Sequence, residues 1–504
     1  MQTFIIGSAI CILLLAAGRT HPGSLIVALI ASVAFGSTSI ASLGGLGTPL
    51  IYVALEIVLI ITILVRRRLP DELARIFHEC PTAWIVLALL VYASGTAVIL
   101  PRLFAGMTGA FVPVDGLVSE VPLAPVSGNI AQSGYFVLGG LVFFGLTLLL
   151  LARSSAPRAK TLPQSRERDS EEYLLLRAIG KGFFFWTWLN ATAGALDLAG
   201  KLAGGGDLML PLRTAGYALL TETEHAGFWR IAGLHPEASA FGAAALAGLA
   251  FSFTYWRATR SGNALILAIV LLSLTLLSTS STAYAGLSVL VLVALLAAIR
   301  SLLRGRLLHT DAIWLGAVLI AVTVILAIVL INDDAFAKVE TLLRATILEK
   351  SSSASGIERA YWNQRSLDSF FATSMFGIGL GSSRASSWAI AVLSQLGLIG
   401  SVLLGFLMAT IAWPPHRGEW GDAPLGSERR HVIALHDSVR AAALTLLLAA
   451  TIGGGAADPG VLFFISLATL GGCRRYLQRS RCFSTGQPSN GSTRSGSIPQ
   501  GQPT

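Results

Sequence analysis

Apolar residues along the chain are gathered in long blocks, most of them roughly 16 to 25 residues long, with polar segments between them. A block of that length, coiled as an α-helix, crosses a hydrocarbon core about 30 Å thick. The pattern predicts an all-α polytopic membrane protein with thirteen spans, or twelve to fourteen because the last two blocks are short and close together. The predicted spans are 4–18, 24–41, 48–65, 83–101, 134–152, 182–200, 240–256, 263–279, 283–299, 312–331, 388–413, 439–454 and 460–473.

Composition supports a membrane protein. Hydrophobic residues make up 54% of the 504 residues, charged residues only 12%, and the mean hydropathy is +0.70, which is too apolar for a soluble fold of this length. The net charge of +9 comes from basic residues dispersed between the apolar blocks, so it does not indicate nucleic-acid binding. The four cysteines form no metal-ligand pair, and neither a metal nor a cofactor is predicted.

Lysine and arginine positions predict the orientation, because basic loops stay in the cytoplasm. If residues 66–68 are cytoplasmic, strict alternation places 26 of the 36 Lys and Arg residues on the cytoplasmic side of the membrane. The linker near 153–173 and the tail 481–504 are then cytoplasmic, and their compositions are typical of disorder. Function is expected in the three long periplasmic segments, near 102–133, 201–239 and 332–387.

Four regions follow from these segments. Residues 1–200 hold the N-terminal spans, residues 201–413 form the predicted functional core, residues 414–480 contain the C-terminal helices, and the tail completes the chain. No internal repeat is visible, whereas many secondary transporters are built from inverted repeats.

Ionisable groups cluster at the end of the second periplasmic segment, where Arg230, His235 and Glu237 precede an apolar span. They are ordinary interfacial anchors beside Trp229 on one interpretation. On the other, Arg230 binds phosphate oxygens through its planar guanidinium, and Glu237 or His235 accepts a proton from an attacking hydroxyl.

The third periplasmic segment predicts a helix from about residue 340 to 365, on which Arg359, Trp362 and Arg365 share a face at spacings of three. A solvated surface helix is the alternative. A glycine-rich stretch with Gly379 and Gly381 follows, ending at Arg384. Glycines permit either a flexible helix entry or close backbone approach to a ligand.

A run of hydroxyl residues, 278–284, separates two predicted spans. Such a run is usually a polar turn between helices. If the turn lies at the same outer cavity, Ser280 is a candidate hydrogen-bond donor to a sugar or a phosphate.

Taken together, these motifs resemble the O-antigen ligase and polymerase superfamily, which includes exopolysaccharide repeat-unit polymerases. The resemblance covers roughly residues 220 to 410. The motifs that carry it are Arg230 with Gly233, then Pro236, Glu237 and Ser239, the turn at 278–284, Arg359, the stretch from Phe376 to Ser382, and the Gln395–Gly400 element.

The resemblance implies a C-type glycosyltransferase-like fold that acts, without a metal, on undecaprenyl-diphosphate-linked glycans at the periplasmic face. It implies that Arg230, Arg359 and Arg384 hold the diphosphate while Glu237 or His235 serves as the base of an inverting transfer. Trp362 and Arg365 are the predicted glycan contacts, since aromatic faces pack on sugar rings, and Gly379, Gly381 and Ser280 are further predicted substrate contacts.

A polymerase is favoured over a ligase, because family ligases carry a His in the loop after the glycine-rich element. Here residues 385–388 contain none, and Gln395 stands in place of a Glu. The alternatives are a ligase that transfers glycan to lipid A-core and a transporter or flippase without catalysis. A transporter would use ionisable groups within the bilayer, where Glu56 and Asp197 are the main candidates. A non-catalytic subunit working with other polysaccharide assembly proteins also fits.

Overall fold

A computed structural model gives the fold of the chain. It describes residues 3–19, 21–42, 47–114, 117–152, 164–204, 207–216, 219–221, 224–225, 228–305, 309–332, 336–337, 340–341, 344, 353–413 and 427–484.

Fifteen α-helices make up most of the described chain. In order they are α1 (Thr3–Gly18), α2 (Pro22–Ser32), α3 (Ile51–Leu64), α4 (Leu69–Glu79), α5 (Pro81–Leu103), α6 (Ser127–Ala152), α7 (Gln164–Leu202), α8 (Ala238–Thr259), α9 (Gly262–Leu277), α10 (Ser281–Leu303), α11 (His309–Ile331), α12 (Ala354–Ala372), α13 (Trp388–Ala412), α14 (Ser427–Gly453) and α15 (Val461–Ser484). Two small antiparallel sheets and a 3₁₀ helix (Leu210–Leu212) complete the described elements, and the sheets pair β1 (Gly109–Val114) with β2 (Leu117–Pro122), and β3 (Glu224–His225) with β4 (Phe228–Trp229).

Each of the thirteen predicted spans overlaps one of these helices, and the apolar helices confirm a mostly helical membrane protein. Six described helices are long and apolar enough to cross a membrane alone: α5, α6, α8, α10, α13 and α14. The apolar helices α1, α2, α3 and α9 are shorter than the ~20 residues that a crossing needs. A total of twelve to fourteen crossings therefore stays a prediction.

The second predicted span, 24–41, is too long. α2 ends at Ser32, because the polar residues that follow bond to a distant part of the chain. The Ser37 hydroxyl donates to the Leu234 carbonyl at 2.8 Å, and the Ser39 hydroxyl donates to the Thr214 carbonyl at 2.8 Å. This segment therefore docks onto the second predicted periplasmic segment.

Other boundaries also differ from the prediction. α14 and α15 have 27 and 24 residues, so the last two predicted spans belong to long helices that pack on each other across the turn 453–460. α7 begins at Gln164, which makes the second half of the predicted 153–173 linker helical. Residues 153–163 and 485–504 lie outside the described residues, and the tail is helical as far as Ser484.

The bundle has two ends that differ in what covers them. One end, the hairpin face, carries β1 and β2, α12, and the turn 453–460 between α14 and α15. Phe111 on β1 donates its N–H to the Ser383 hydroxyl at 2.8 Å, which ties the sheet to the loop after α12. α5 ends at this face and α8 begins there. The opposite face lies near Cys80, before α5, and near Trp413, after α13.

α8 is packed closely by its neighbours α14, α9 and α10. Small residues permit the close approach, since a methyl group on Gly242 would lie 2.8 Å from the Ala283 Cβ, and one on Gly248 would lie 3.0 Å from Leu271 Cδ1. The tight packing holds the N-terminus of α8 at the hairpin face, directly after Glu237.

Candidate functional site

A buried ion-pair network fixes the chain just before α8. Asp197, near the end of α7, lies 3.2 Å from Lys201 Nζ and 3.2 Å from Arg213 Nη2, and all three side chains are buried. Its Oδ2 also accepts two successive backbone N–H groups of the 230–233 turn, at 2.8 and 3.0 Å. Lys201 Nζ donates to the Arg230 carbonyl at 2.7 Å. The network therefore positions the backbone that carries Arg230.

Replacing Asp197 with Asn is expected to destabilise the protein by about 3–5 kcal/mol, because it leaves the buried Lys201 with no carboxylate partner and Arg213 with Asp207 only. The midpoint of thermal unfolding of the purified protein measures this loss. Asp368→Asn is the matched control, since that exposed carboxylate lies 3.7 Å from its arginine and its loss should cost at most ~1 kcal/mol. Equal midpoints for the two variants would contradict the structural role of Asp197.

His235 is held as a neutral imidazole. Its Nε2 lies 2.7 Å from Asn190 Oδ1, and the Asn190 amide nitrogen donates to the Trp186 carbonyl, so Oδ1 is an acceptor and His235 Nε2 carries the proton. A methyl group on Gly36 would lie only 2.7 Å from His235 Nδ1, so the backbone of residue 36 covers the other ring nitrogen. Burial, with Arg213 nearby, lowers the pKa of His235 to about 4. This imidazole is therefore a weak base that positions the loop.

Glu237 is half-buried at the N-cap of α8 and accepts a hydrogen bond from the Ser239 hydroxyl. The N-terminus of a helix stabilises a negative charge there. Burial lowers the pKa of the nearby Arg230 guanidinium, Glu237 raises it, and Arg359 lowers it again. Arg230, Glu237 and Arg359 thus lie within electrostatic range of one another, although they come from different segments.

Arg359 and Arg384 both lie beside the glycine turn at the end of α14. A methyl group on Gly453 would lie 3.8 Å from Arg359 Nη1, and one on Gly455 would lie 3.5 Å from Arg384 Nε. The Ala385 N–H donates to the Gly455 carbonyl at 3.1 Å, which attaches the Arg384 loop to the turn. The absence of side chains on this turn leaves room for both guanidinium groups.

Arg230, Arg359 and Arg384 form what we call the arginine cluster. None of their side chains makes a hydrogen bond or an ion pair with a described residue, and the Nε atom of Arg230 is buried. Arg230 and Arg359 are half-buried, and Arg384 is exposed. Positive charges brought together in this way repel one another and lose hydration, and a bound anion relieves both costs. The cluster is therefore a candidate anion site.

Arg365 and Trp362 contact the protein rather than this cluster. The Arg365 Nε donates to Glu120 Oε1 at 2.9 Å, and the Tyr361 hydroxyl donates to the other Glu120 oxygen at 2.5 Å. The half-buried Trp362 packs on Phe111, with ring centroids 5.6 Å apart. These contacts join α12 to the sheet of β1 and β2, and they give both residues a structural role besides the predicted glycan contact.

The glycine-rich stretch packs against neighbouring helices. Gly379 and Gly381 have φ angles of 92° and 77°, in the left-handed region that favours glycine. A methyl group on Gly379 would lie 2.6 Å from the Thr96 carbonyl oxygen, and one on Gly381 would lie 2.3 Å from that of Gly128. These glycines therefore allow close contact with α5 and α6, and a substrate contact at either of them stays a prediction.

Gln395 and Ser280 also bind backbone groups of the protein, a role that was not predicted for either residue. Gln395 accepts the Gly381 N–H at 2.8 Å and donates to the Ser383 carbonyl at 2.8 Å, so it shapes the loop that ends at Arg384. Ser280 is buried, and its hydroxyl caps α10 by accepting the Ala283 N–H at 3.4 Å. Ser280 thus serves the start of a helix at the hairpin face.

Several positioning residues were not predicted as such. Asp197 was considered only as a charge within the bilayer, and no role was predicted for the glycine turn at 453–455. Their sequence signals are a carboxylate four residues before a lysine on one helix, and a run of three glycines between two apolar blocks. Glu56 is buried in α3, and its Oε2 makes no hydrogen bond to a described residue.

Among the described residues, no three His, Cys, Asp or Glu side chains come together in a way that could hold a metal ion. Comparison of the chain with protein-family models and with curated protein sequences finds no match. The arginine cluster therefore has to be interpreted from its own geometry.

Proposed function

We propose that this protein is a polysaccharide polymerase that transfers undecaprenyl-diphosphate-linked oligosaccharide repeats onto an acceptor glycan at the periplasmic face of the bacterial inner membrane. The observation that carries the proposal is the arginine cluster, in which three guanidinium groups from separate segments lie at one end of a membrane bundle and form no ion pair with a described residue, although Glu237 lies within electrostatic range of Arg230. A lipid-linked diphosphate has two negatively charged groups at the level of the membrane surface, which is the chemistry that such a cluster binds.

The arginines have a role in both binding and transfer. Arg359 and Arg384, beside the glycine turn, contact the diphosphate of the donor, and the half-buried Arg230 faces the developing charge. As the glycosidic bond to phosphate breaks, negative charge grows on the leaving oxygen. Guanidinium groups already fixed in place stabilise that charge most where water is scarce. The buried network under Arg230 supplies this fixed position.

The transfer step is a single displacement. A hydroxyl oxygen of the acceptor sugar forms a bond to the anomeric carbon of the donor repeat, the bond from that carbon to phosphate breaks, and undecaprenyl diphosphate leaves with the electron pair. The hydroxyl proton passes to Glu237 Oε. Glu237 is preferred over His235 as the base because His235 Nε2 is already protonated and its Nδ1 is covered by residue 36.

A ligase acting on lipid A-core would use the same donor and the same cluster, so it is the principal alternative. A transporter is less well supported. Asp197, one of two acidic groups expected to serve a carrier, is instead engaged by Lys201, Arg213 and two backbone N–H groups.

Deletion of the gene distinguishes polymerase from ligase. The polymerase proposal predicts that lipid-linked glycans extracted from the deletion strain contain single repeats, because each repeat is made but not joined to the next. Size separation of the extracted glycans is the measurement, and the strain complemented with the wild-type gene is the control. Long chains retained on undecaprenyl diphosphate would instead indicate a ligase, and an unchanged profile would reject both activities.

A further inference from the structure

A second polar site lies at the opposite face of the bundle, away from the arginine cluster. A cavity of about 40 Å³ lies there between α5, α6, α13 and α15. On the scale where one buried water needs ~10–15 Å³, it has room for about three waters or one phosphate group. Polar residues that line it are Cys80, Thr82, Thr147, Thr410, Arg474 and Arg475.

Two lining residues have buried donors without a partner. The Nε and Nη2 of Arg475 are buried and make no hydrogen bond to a described residue, and the same is true of the Thr147 hydroxyl. Thr147 is only 1% exposed. Buried donors of this kind require an acceptor, because leaving them unsatisfied costs on the order of 1–3 kcal/mol each. The cavity between them is the place for that acceptor.

The lining of the cavity is positively charged, because it contains Arg474 and Arg475 and no carboxylate. Arg474 donates to the Thr410 and Trp413 carbonyls at the end of α13, at 2.9 and 3.1 Å. The acidic residue Glu172 is paired with Arg479, at 3.4 Å. Arg475 curls back along α15, since a methyl group on Gly471 would lie 3.5 Å from its Nη1. Two arginines that line one small cavity without a carboxylate in its lining favour an anion over water.

We propose that this cavity binds a phosphate group, and that the phosphate of an anionic phospholipid in the cytoplasmic leaflet is its source. Basic cavities between membrane helices near the cytoplasmic surface suit anionic headgroups, and the lining of Phe143, Leu467 and Leu470 is apolar beside the polar donors. Arg475 and the Thr147 hydroxyl donate to the phosphate oxygens. This proposal does not depend on the function of the arginine cluster, because the two sites lie at opposite faces.

Native mass spectrometry of the full-length protein, purified in mild detergent with added phosphatidylglycerol or phosphatidylcholine, tests the proposal. Wild type is expected to retain phosphatidylglycerol in preference to phosphatidylcholine. Arg475→Gln and the nearly isosteric Thr147→Val should each weaken that retention, roughly tenfold or more for the arginine, because a hydrogen bond to a charged group is lost. Arg67→Gln is the control, since Arg67 is an exposed arginine at the same face.

Inorganic phosphate, added to lipid-depleted protein in a thermal-unfolding assay, separates the two possible sources of the group. Stabilisation of wild type by phosphate but not by phosphatidylglycerol, lost in Arg475→Gln, would retain the phosphate site and make its ligand a soluble one. Two outcomes would overturn the proposal: equal lipid retention by wild type, Arg475→Gln and Thr147→Val, or no response of wild type to either ligand, which would leave the cavity to water.

Discussion

Arg359→Ala and Arg230→Ala are each expected to lower polymer formation by about a hundred- to a thousandfold while the amount of protein in the membrane stays unchanged. The loss of one fixed positive group facing a developing anion has an effect of about that size. The protein should still fold, because the side chains of Arg359 and Arg230 make no ion pair or hydrogen bond with the described residues. The measurement is chain length and yield of polymer in a deletion strain that expresses each variant.

Arg→Lys at the same two positions should recover only part of the activity, because an ammonium group keeps the charge but cannot contact two phosphate oxygens as a planar guanidinium does. Arg102→Ala is the matched control. Arg102 is exposed near the hairpin face and donates to the Val98 carbonyl on its own helix, so its loss should leave activity intact. Full activity in the Arg359→Ala and Arg230→Ala strains would favour the interfacial-anchor interpretation of these residues.

Glu237→Gln should reduce the rate of transfer by about a hundredfold or more, because the amide preserves the shape and the hydrogen bond from Ser239 but cannot accept the proton. His235→Gln is the informative comparison. An amide there can still donate to Asn190 Oδ1, so that variant should retain most of the activity. The reverse pattern, with His235→Gln inactive and Glu237→Gln active, would assign proton removal to the imidazole and contradict the proposed base.

Hydropathy predicted the helices well because burial in lipid requires continuous apolar segments whose backbone groups bond within the segment. It overextended the second span because Ser37 and Ser39 bond to Leu234 and Thr214, which lie 197 and 175 residues away along the chain. Such partners leave no trace in a local pattern. α4 was not predicted as a membrane span, because its eleven residues are amphipathic rather than apolar.

The candidate site was predictable in its residue types but not in its grouping. Residues at spacings of three on α12 share a face, yet Arg365 bonds to Glu120 on β2, whereas Arg359 reaches the glycine turn after α14. Helical periodicity cannot predict which of the two arginines makes which contact, because the partners come from other segments. Gly379 shows the same limit of local sequence patterns. A glycine signals close backbone approach, but only the fold shows that the approaching group is the Thr96 carbonyl.

The central claim is that this chain joins lipid-linked repeats, and the most direct test uses the glycan that the deletion strain itself accumulates. Lipid-linked repeats extracted from that strain are incubated with the purified protein in lipid nanodiscs, and the products are separated by size. Conversion of single repeats into longer chains, with release of undecaprenyl diphosphate and no conversion by Arg359→Ala, is the predicted result. Repeats that remain single with wild-type protein, under conditions in which it is folded, would contradict the claim.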